Sequence, residues 1–240
     1  MNSIAVKAYA KINLGLDVIQ KRPDGYHDIK TIMQTVNLYD TVCIKKTKFQ
    51  SVTVRSNLNY LPTDQRNLAY KAVLLFRELY PFKDGLNIYL NKRIPVSAGL
   101  AGGSADAAAT LKGLNQLYKT GLSLEELMAI GARLGADVPF CLLMGTALAE
   151  GIGERLKPLP PLPDCHILLV KPDISVSTKY VYENLRLNEI VKHPDIESML
   201  DALKEKNLYR LSALIENIME TVTAREYPVI EKIKEKMKEN

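Results

Sequence analysis

A glycine-rich loop is the part of this 240-residue sequence whose residue types are best suited to chemistry. Residues 86–94 alternate as in a β-strand, Pro95 ends that pattern, and Gly99, Gly102 and Gly103 precede an alanine-rich run typical of a helix. The unpaired N–H groups and the positive dipole end of a helix N-terminus bind anions, and small residues let a polyphosphate approach them. The loop therefore predicts a phosphate site. The alternative is that the glycines only permit tight helix packing or a sharp turn.

Three further polar residues stand in apolar surroundings. Lys11 and Asn13 lie two residues apart in the strand-like segment 3–19, so both side chains are expected on one face of the strand. This pattern predicts equally well a face that takes part in function and a face that is only exposed to solvent. Asp137 lies between the end of a predicted helix and an apolar segment, where an isolated Asp is usually a cap or turn residue.

The motif Pro23-Asp24-Gly25 has the composition of a tight turn and is followed by Tyr26 and His27. An aromatic ring and an imidazole held at a rigid turn can stack on a base and form hydrogen bonds with it. The other interpretation is that both residues only close a hairpin.

Periodicity predicts mixed α and β structure along the whole chain. Strands are predicted at 3–19, 31–46, 50–56 and 166–170, and a hairpin is predicted at 147–156. Helices are predicted at 67–80, at 104–118, from about 178, and at intervals over 195–240. Thr63 or Asp64 is expected to cap the first of these helices, and a Ser123–Glu126 capping box is expected to begin one more. Asn67 is interpreted first as a structural residue. The proline-rich segment 157–164 is stiff and is predicted to be a domain boundary.

Composition limits the classes of function. The net charge of +5, from 32 basic and 27 acidic residues, is too small to indicate nucleic-acid binding. Cys43, Cys141 and Cys165 are odd in number and widely spaced, which argues against a disulfide framework or a zinc site. No signal peptide or membrane-spanning run is visible, so a soluble protein of the cytoplasm is expected.

The glycine loop, which fits neither the Walker nor the dinucleotide-binding pattern, resembles the phosphate loop of the GHMP kinases, Pro-x-x-x-Gly-Leu-(Gly/Ala)-(Gly/Ser)-Ser-(Ser/Ala)-Ala. A second resemblance is more specific. Ala-Lys-Ile-Asn-Leu at 10–14, followed by Arg-Pro-Asp-Gly-Tyr-His at 22–27, is similar to the opening of the branch that phosphorylates 4-diphosphocytidyl-2-C-methyl-D-erythritol. Gly-Ala-Asp-Val-Pro-Phe at 135–140 resembles the segment that carries the catalytic aspartate of that family.

This resemblance implies an α+β, two-domain GHMP-kinase-like fold. Residues 1–157 would form an N-terminal nucleotide-binding and catalytic domain, similar to ribosomal protein S5 domain 2. Residues 158–240 would form the substrate-side domain, a ferredoxin-like sheet with helices. The Ser-Gly-(Thr/Ser)-Gly motif that usually follows near the C-terminus of the family has no match here. We therefore expect an incomplete second sheet and an apparently truncated second domain, which puts full activity in doubt.

The resemblance also implies an activity, ATP-dependent phosphorylation of the 2-hydroxyl group of 4-diphosphocytidyl-2-C-methyl-D-erythritol in the non-mevalonate isoprenoid precursor pathway. Lys11 and Asp137 would be catalytic. The substrate would be bound by Asn13, Tyr26, His27, Thr178 and Tyr182, with the two tyrosines enclosing the cytosine. The residues implied in ATP phosphate binding are Pro95, Val96, Ser97, Ala98, Gly99, Leu100, Ala101, Gly102, Gly103, Ser104 and Ala105.

The expected co-substrate is ATP with Mg²⁺, without a protein metal site or a tightly bound prosthetic group. The expected partners are small molecules only, with neither nucleic acid nor membrane, and the chain would be a monomer or a weak homodimer. Two alternatives stay open. One is another GHMP small-molecule kinase, acting on a mevalonate-type or sugar substrate, and the other is a non-catalytic nucleotide-binding relative.

Overall fold

The computed structural model describes residues 1–239, apart from the side chain of Lys179. Its backbone contacts divide the chain into two units, each assembled from separate segments. Unit 1 comprises Met1–Lys11, Thr35–Val96 and Leu100–Met144. Unit 2 comprises Ile12–Gln34, Ser97–Gly99 and Gly145–Asn240, of which Asn240 lies outside the described residues.

Two long strands explain why both units are discontinuous in sequence. Strand β1 (Ser3–Lys21) and strand β2 (His27–Thr47) are neighbours in a seven-stranded sheet. The first part of β1 and the last part of β2 belong to unit 1, whereas the other parts belong to unit 2. The turn between them has the predicted chemistry, because Gly25 adopts a φ of 88° and the N–H of Arg22 donates to the carbonyl of Tyr26.

The sheet of unit 1 continues through β3 (Val52–Ser56) and β4 (Gly85–Asn91). β4 pairs antiparallel with the Thr41–Thr47 part of β2, and β3 pairs parallel with β4. Parallel neighbours need a crossover connection, and helix α1 (Leu68–Leu79) lies in the chain between them.

Three further helices complete unit 1: α2 (Gly102–Tyr118), α3 (Leu124–Ala132) and α4 (Val138–Leu143). α2 packs against both α1 and α4, and the alanines of its first half are buried. The predicted capping box is confirmed, because Ser123 accepts from the backbone of Glu126 while the Glu126 carboxylate accepts from the backbone of Ser123.

The cap of α1 differs from the prediction. Asn67 is the N-cap, since its amide oxygen accepts from the N–H of Ala69 at 2.9 Å and its amide nitrogen donates to the carbonyl of Pro62. The structural interpretation of Asn67 agrees with these contacts, whereas Thr63 and Asp64 as caps are wrong. The Asp64 carboxylate instead accepts from the backbone and guanidinium of Arg66 in the preceding turn.

Unit 2 contains the predicted hairpin, formed by β5 (Thr146–Gly151) and β6 (Arg155–Pro158). β5 also pairs antiparallel with Ile29–Gln34 of β2. The short strand β7 (Glu216–Asn217) pairs parallel with β1 at Gly15 and Leu16.

The remainder of unit 2, as far as it is described, is mainly helical and packs on these strands. Leu14 and Ile32 of the strands form one apolar cluster with Met199, Leu203 and Leu211 of the helices. The helices are α5 (Thr178–Asn184), a 3-10 turn (Leu187–Glu189), α6 (Ile196–Lys204), α7 (Leu208–Leu214), α8 (Glu220–Glu226) and α9 (Val229–Lys238).

One sequence prediction meets a different arrangement. Residues 166–170 were expected as a buried strand, but they lie outside any strand and Leu168 is 71% exposed. A strand requires a neighbouring edge to pair with, and none of the described strands pairs with this segment. Each of the two units contains parts of the first 157 residues. The domain boundary at 157/158 and the assignment of a function to each side of it stay predictions.

A buried ion cluster lies in unit 1. Lys92 contacts the carboxylates of both Asp40 and Asp106, and all three side chains are almost inaccessible to solvent. Burial raises the pKa of Asp106 from 3.8 to about 7, although the charge of Lys92 acts in the opposite direction. The unfolded chain therefore releases this proton at a lower pH than the folded chain. Ionisation of Asp106 consequently lowers the free energy of unfolding as the pH rises between these two values.

We predict that Asp106→Asn removes this pH-dependent fall in the free energy of unfolding, because an amide does not ionise. The free energy of unfolding of the variant, minus that of the wild type, should rise between pH 5 and pH 7 by about 1 kcal/mol per pH unit. Urea unfolding at both pH values measures the difference.

Asp201→Asn serves as the control. The hydrogen bond from Lys204 lowers the pKa of this exposed carboxyl below 3.8, so the group is ionised in both the folded and the unfolded chain above pH 5. The same difference should therefore stay constant between pH 5 and pH 7. A constant difference for Asp106→Asn between the two pH values would contradict the raised pKa of Asp106.

Candidate active site

The backbone of the glycine-rich loop is held in conformations that ordinary residues avoid. Ser97, Gly99 and Ala101 have φ values of 54°, 71° and 55°. Gly99 has open space where a Cβ atom would lie, so glycine is needed there for its conformation. Gly102 is closely packed, because a Cβ atom there would lie 3.2 Å from Cγ2 of Ile94, a tight contact.

The first turn of α2 presents its backbone N–H groups without a side-chain cap. Ala101 is the N-cap residue, and within residues 1–239 no side chain caps this helix. The first intrahelical bond runs from the N–H of Ala105 to the carbonyl of Ala101, so the preceding N–H groups have no partner inside the helix. Gly103 is exposed. This geometry suits an anion, as expected from the loop and helix sequence.

Lys11 and Asp137, the two predicted catalytic residues, lie close together in unit 1. Nζ of Lys11 is 3.9 Å from Oδ2 of Asp137, and the lysine is buried whereas the aspartate side chain is 35% exposed. The backbone N–H of Lys11 donates to the carbonyl of Leu100 at 3.2 Å. This hydrogen bond joins β1 to the end of the glycine-rich loop. The residue that carries the ammonium group is therefore attached directly to the loop backbone.

Asp137 occupies the N-cap position of α4, but its carboxylate does not cap the helix. Pro139 in the first turn has no N–H group to be capped, which leaves fewer donors there. Asp137 therefore lies where a cap residue would, as expected for an isolated Asp between a helix and an apolar segment. Its carboxylate, however, faces Lys11.

Asn13 lies in unit 2 and makes contacts within the sheet. Its amide nitrogen donates to Oγ1 of Thr31 at 2.7 Å, and this hydroxyl donates to the carbonyl of Gly15 at 2.6 Å. Thr31 is fully buried. The amide nitrogen of Asn13 is therefore held in place by the sheet.

The predicted substrate residues of unit 2 include an aromatic stack. The ring of His27 lies on that of Tyr182, with centroids 4.9 Å apart and an interplanar angle of 20°. Burial and the nearby charge of Lys21 lower the pKa of His27, so the imidazole is neutral at pH 7. Tyr26 is 60% exposed, and Thr178 is exposed at the start of α5. The ring that stacks on Tyr182 is therefore His27. The enclosure of a cytosine by Tyr26 and Tyr182, which the resemblance implied, stays a prediction.

The sequence interpretation missed two ionic arrangements. Nδ1 of His193 lies 2.7 Å from Oδ1 of Asp17 in unit 2, and Asp17 is buried. The other is the Asp40–Lys92–Asp106 cluster of unit 1. Asp17 and Asp40 interrupt apolar strand segments, and such a buried acidic residue is the signal that would have predicted a partner.

Within residues 1–239, no group of three or more His, Cys, Asp and Glu side chains is arranged to hold a metal ion. In the same residues, none of the helices is both long and apolar enough to cross a membrane.

Together, the groups of unit 1 can stabilise negative charge and accept a proton. Backbone N–H groups at a helix N-terminus and a buried ammonium group stabilise phosphoryl oxygens, and a carboxylate within 4 Å of that ammonium can act as a base. This is the equipment for phosphoryl transfer to an alcohol, in which positioning and electrostatic stabilisation dominate.

Comparison with known proteins agrees with this chemistry. Residues 67–145 match the family described as GHMP kinases N terminal domain. The chain is 57% identical over 234 residues to 4-diphosphocytidyl-2-C-methyl-D-erythritol kinase from Lachnoclostridium phytofermentans, covering 98% of this chain and 80% of that protein. It is 51% identical over 235 residues to the protein of the same name from Caldicellulosiruptor bescii, covering 98% and 82%.

Solved structures give the same relationship. A crystal structure of 4-(cytidine 5'-diphospho)-2C-methyl-D-erythritol kinase matches with a TM-score of 0.75 and 33% identity, over 98% of this chain and 82% of that one. Homoserine kinase from Cytophaga hutchinsonii matches with a TM-score of 0.64 and 19% identity, over 90% and 72% of the two chains, which shows the fold alone. The predicted α+β fold of the GHMP kinases is confirmed. The extent and identity of these matches show that the chain belongs to the 4-diphosphocytidyl-2-C-methyl-D-erythritol kinase family of the GHMP kinases.

Proposed function

We propose that this chain transfers the γ-phosphoryl group of ATP to the 2-hydroxyl group of 4-diphosphocytidyl-2-C-methyl-D-erythritol, a step of the non-mevalonate isoprenoid precursor pathway. The observation that carries the proposal is the pairing of Lys11 with Asp137, joined through the Lys11 backbone to the end of the glycine-rich loop. The names of the full-length relatives support the same substrate.

Asp137 acts as the general base. An alcohol is a weak nucleophile at neutral pH, so a positioned carboxylate that accepts its proton promotes attack. The substrate oxygen forms a bond to the γ-phosphorus, the bond from that phosphorus to the bridging oxygen breaks, and ADP leaves. The Lys11 ammonium favours the developing negative charge on the attacking oxygen and on the transferred group.

The loop from Pro95 to Ala105 holds the phosphates of ATP. Its support is the uncapped first turn of α2, the positive φ values that aim the backbone, and the exposed Gly103. Ser104 adds a hydroxyl group at the helix start. Small side chains along the loop keep the approach to the backbone open.

Mg²⁺ would arrive with ATP. In kinases this ion keeps several waters and is held by one or two carboxylates together with substrate phosphates. Asp137 supplies a partly exposed carboxylate beside Lys11, which fits such a shared site. The absence of a dedicated acidic cage among residues 1–239 is compatible with the same arrangement. When bound, the ion would neutralise charge on the phosphoryl oxygens.

The cytidine end of the substrate is bound by unit 2. Neutral His27 has one donor and one acceptor nitrogen, which suits the polar edge of a cytosine. Tyr26 and Tyr182 provide aromatic faces for stacking, and the existing stack of His27 on Tyr182 keeps two of the three rings in place. Thr178 and Asn13 are proposed to contact the ribose and diphosphate.

The same proposal assigns nucleotide binding to residues 1–157 and the substrate side to residues 158–240. It also includes a cytoplasmic location and a monomeric or weakly dimeric state.

The alternative functions considered from the sequence are not favoured. The matches to other GHMP enzymes are below 25% identity and show only the fold, and retention of Lys11 and Asp137 argues against a non-catalytic relative.

A substrate panel tests the proposed function. Steady-state ATP turnover is measured with 4-diphosphocytidyl-2-C-methyl-D-erythritol, mevalonate and homoserine. We expect kcat/KM for the cytidine compound to exceed the others by roughly 1,000-fold, because a site that binds a base by hydrogen bonds rejects molecules without it. Comparable turnover of mevalonate or homoserine would overturn the substrate assignment.

We predict that Asp137→Asn lowers kcat by roughly 100- to 10,000-fold and leaves ATP affinity near the wild-type value, because the amide cannot accept the hydroxyl proton. Single-turnover kinetics and ATP titration separate the two effects. Asp201→Asn, at an exposed ion pair of α6, is the control and should retain full activity. An active Asp137→Asn variant would exclude Asp137 as the base.

We predict that Tyr26→Ala raises KM for the cytidine substrate and leaves KM for ATP unchanged. Loss of one stacking ring removes about 1–3 kcal/mol of binding energy, which corresponds to a rise in KM of roughly 5- to 150-fold. Tyr209→Ala removes a similarly exposed ring elsewhere in unit 2 and should change neither constant. An equal rise of both constants in Tyr26→Ala would indicate a folding role instead.

A further inference from the structure

The Asp40–Lys92–Asp106 cluster is the largest buried ionic group that the proposed reaction does not use. Asp40 comes from β2, Lys92 directly follows β4, and Asp106 lies in the second turn of α2. Lys92 Nζ donates to Oδ2 of both carboxylates, at 2.6 Å for Asp106. A core position filled by an ammonium group and two carboxyl groups is costly unless the arrangement serves a purpose, since apolar residues of similar volume often stabilise as much or more.

The cluster joins the two ends of the glycine-rich loop. At the entrance, Oδ1 of Asp40 accepts from the backbone N–H groups of Arg93 and Ile94. At the exit, Asp106 belongs to the helix that the loop begins. Lys92 bridges these two carboxylates, so a single ammonium group connects the entrance of the loop to the start of α2.

Nζ of Lys92 also lies near the first residue of α2. A Cβ atom built on Gly102 would be 3.4 Å from Nζ of Lys92 and 3.2 Å from Cγ2 of Ile94. The backbone of the first helical residue therefore lies close to the ammonium group and to Ile94, whose N–H group donates to Asp40. These neighbours flank a loop that contains three residues at positive φ.

We propose that Lys92, held between Asp40 and Asp106, positions the glycine-rich loop for the phosphates of ATP. It acts through the loop backbone and is a positioning residue. The proposal rests on the proposed kinase function, in which this loop binds ATP. Loss of the bridge would let the first turn of α2 and the loop entrance move apart, and the N–H groups would no longer converge on the same phosphates.

The test compares two substitutions at one position. In Asp106→Ala the bridge to α2 is lost, and we expect the dissociation constant for ATP with Mg²⁺ to rise at least about tenfold, with much less change in kcat at saturating ATP. In Asp106→Asn the amide oxygen still accepts from Lys92, so ATP affinity should stay near the wild-type value. Direct titration calorimetry and steady-state kinetics measure both constants.

Leu114→Ala is the control for a general loss of stability. Leu114 is fully buried in the same helix, farther along the chain from the loop, so its truncation destabilises unit 1 without touching the bridge. We expect unchanged ATP affinity in this variant. An equal loss of affinity in Asp106→Ala and Leu114→Ala, or wild-type affinity in Asp106→Ala, would overturn the positioning role.

Lys92→Arg keeps the test decisive if Asp106→Ala does not fold. It retains the positive charge, but its longer side chain and planar head group cannot reproduce the position of Nζ between the two carboxylates and near Gly102. We expect a similar rise of about tenfold in the ATP dissociation constant, and an unchanged constant would overturn the proposal. Failure of the wild-type chain to bind ATP would instead overturn the proposed function, and the two failures are thereby distinguished.

Discussion

In the proposed function, binding of a polyphosphate by uncharged backbone N–H groups is the constraint on which the glycine-rich loop and its neighbours depend. Such donors contribute only when they converge, so the loop must be held in one conformation. Ser97, Gly99 and Ala101 adopt positive φ values, which are strained for residues other than glycine. The hydrogen bond from Lys11 to the carbonyl of Leu100 contacts the end of the loop, and the buried Asp40–Lys92–Asp106 cluster contacts its entrance and α2.

The same constraint explains where the reactive groups are found. The lysine whose N–H group donates to the end of the loop also carries the ammonium group that faces Asp137, so one residue of β1 contacts both the loop and the proposed base. The aromatic and imidazole groups proposed for the cytidine end belong to unit 2, on the turn after β1 and on α5.

Much of this arrangement could be predicted from local sequence, because its causes are local. The glycines followed by alanines predicted the loop and α2, and Ser123 with Glu126 predicted a capping box. Contacts between residues far apart in the sequence were harder to predict. The roles of Lys11 and Asp137 came from family resemblance, since neither spacing nor polarity distinguishes a catalytic aspartate from a cap. The 166–170 segment was misread because an apolar run does not reveal whether a partner strand is present. The stack of His27 on Tyr182 joins residues 155 positions apart, and no periodicity predicts it.

Phosphorus NMR of a reaction mixture tests the central claim most directly. The wild-type chain is incubated with ATP, Mg²⁺ and 4-diphosphocytidyl-2-C-methyl-D-erythritol, and the phosphate signals are followed with time. The account predicts that ADP and a new phosphomonoester on the methylerythritol unit appear together in equal amounts, while the cytidine diphosphate linkage stays intact. Release of free phosphate without a new phosphomonoester, or an unchanged cytidine compound in the presence of bound ATP, would contradict it.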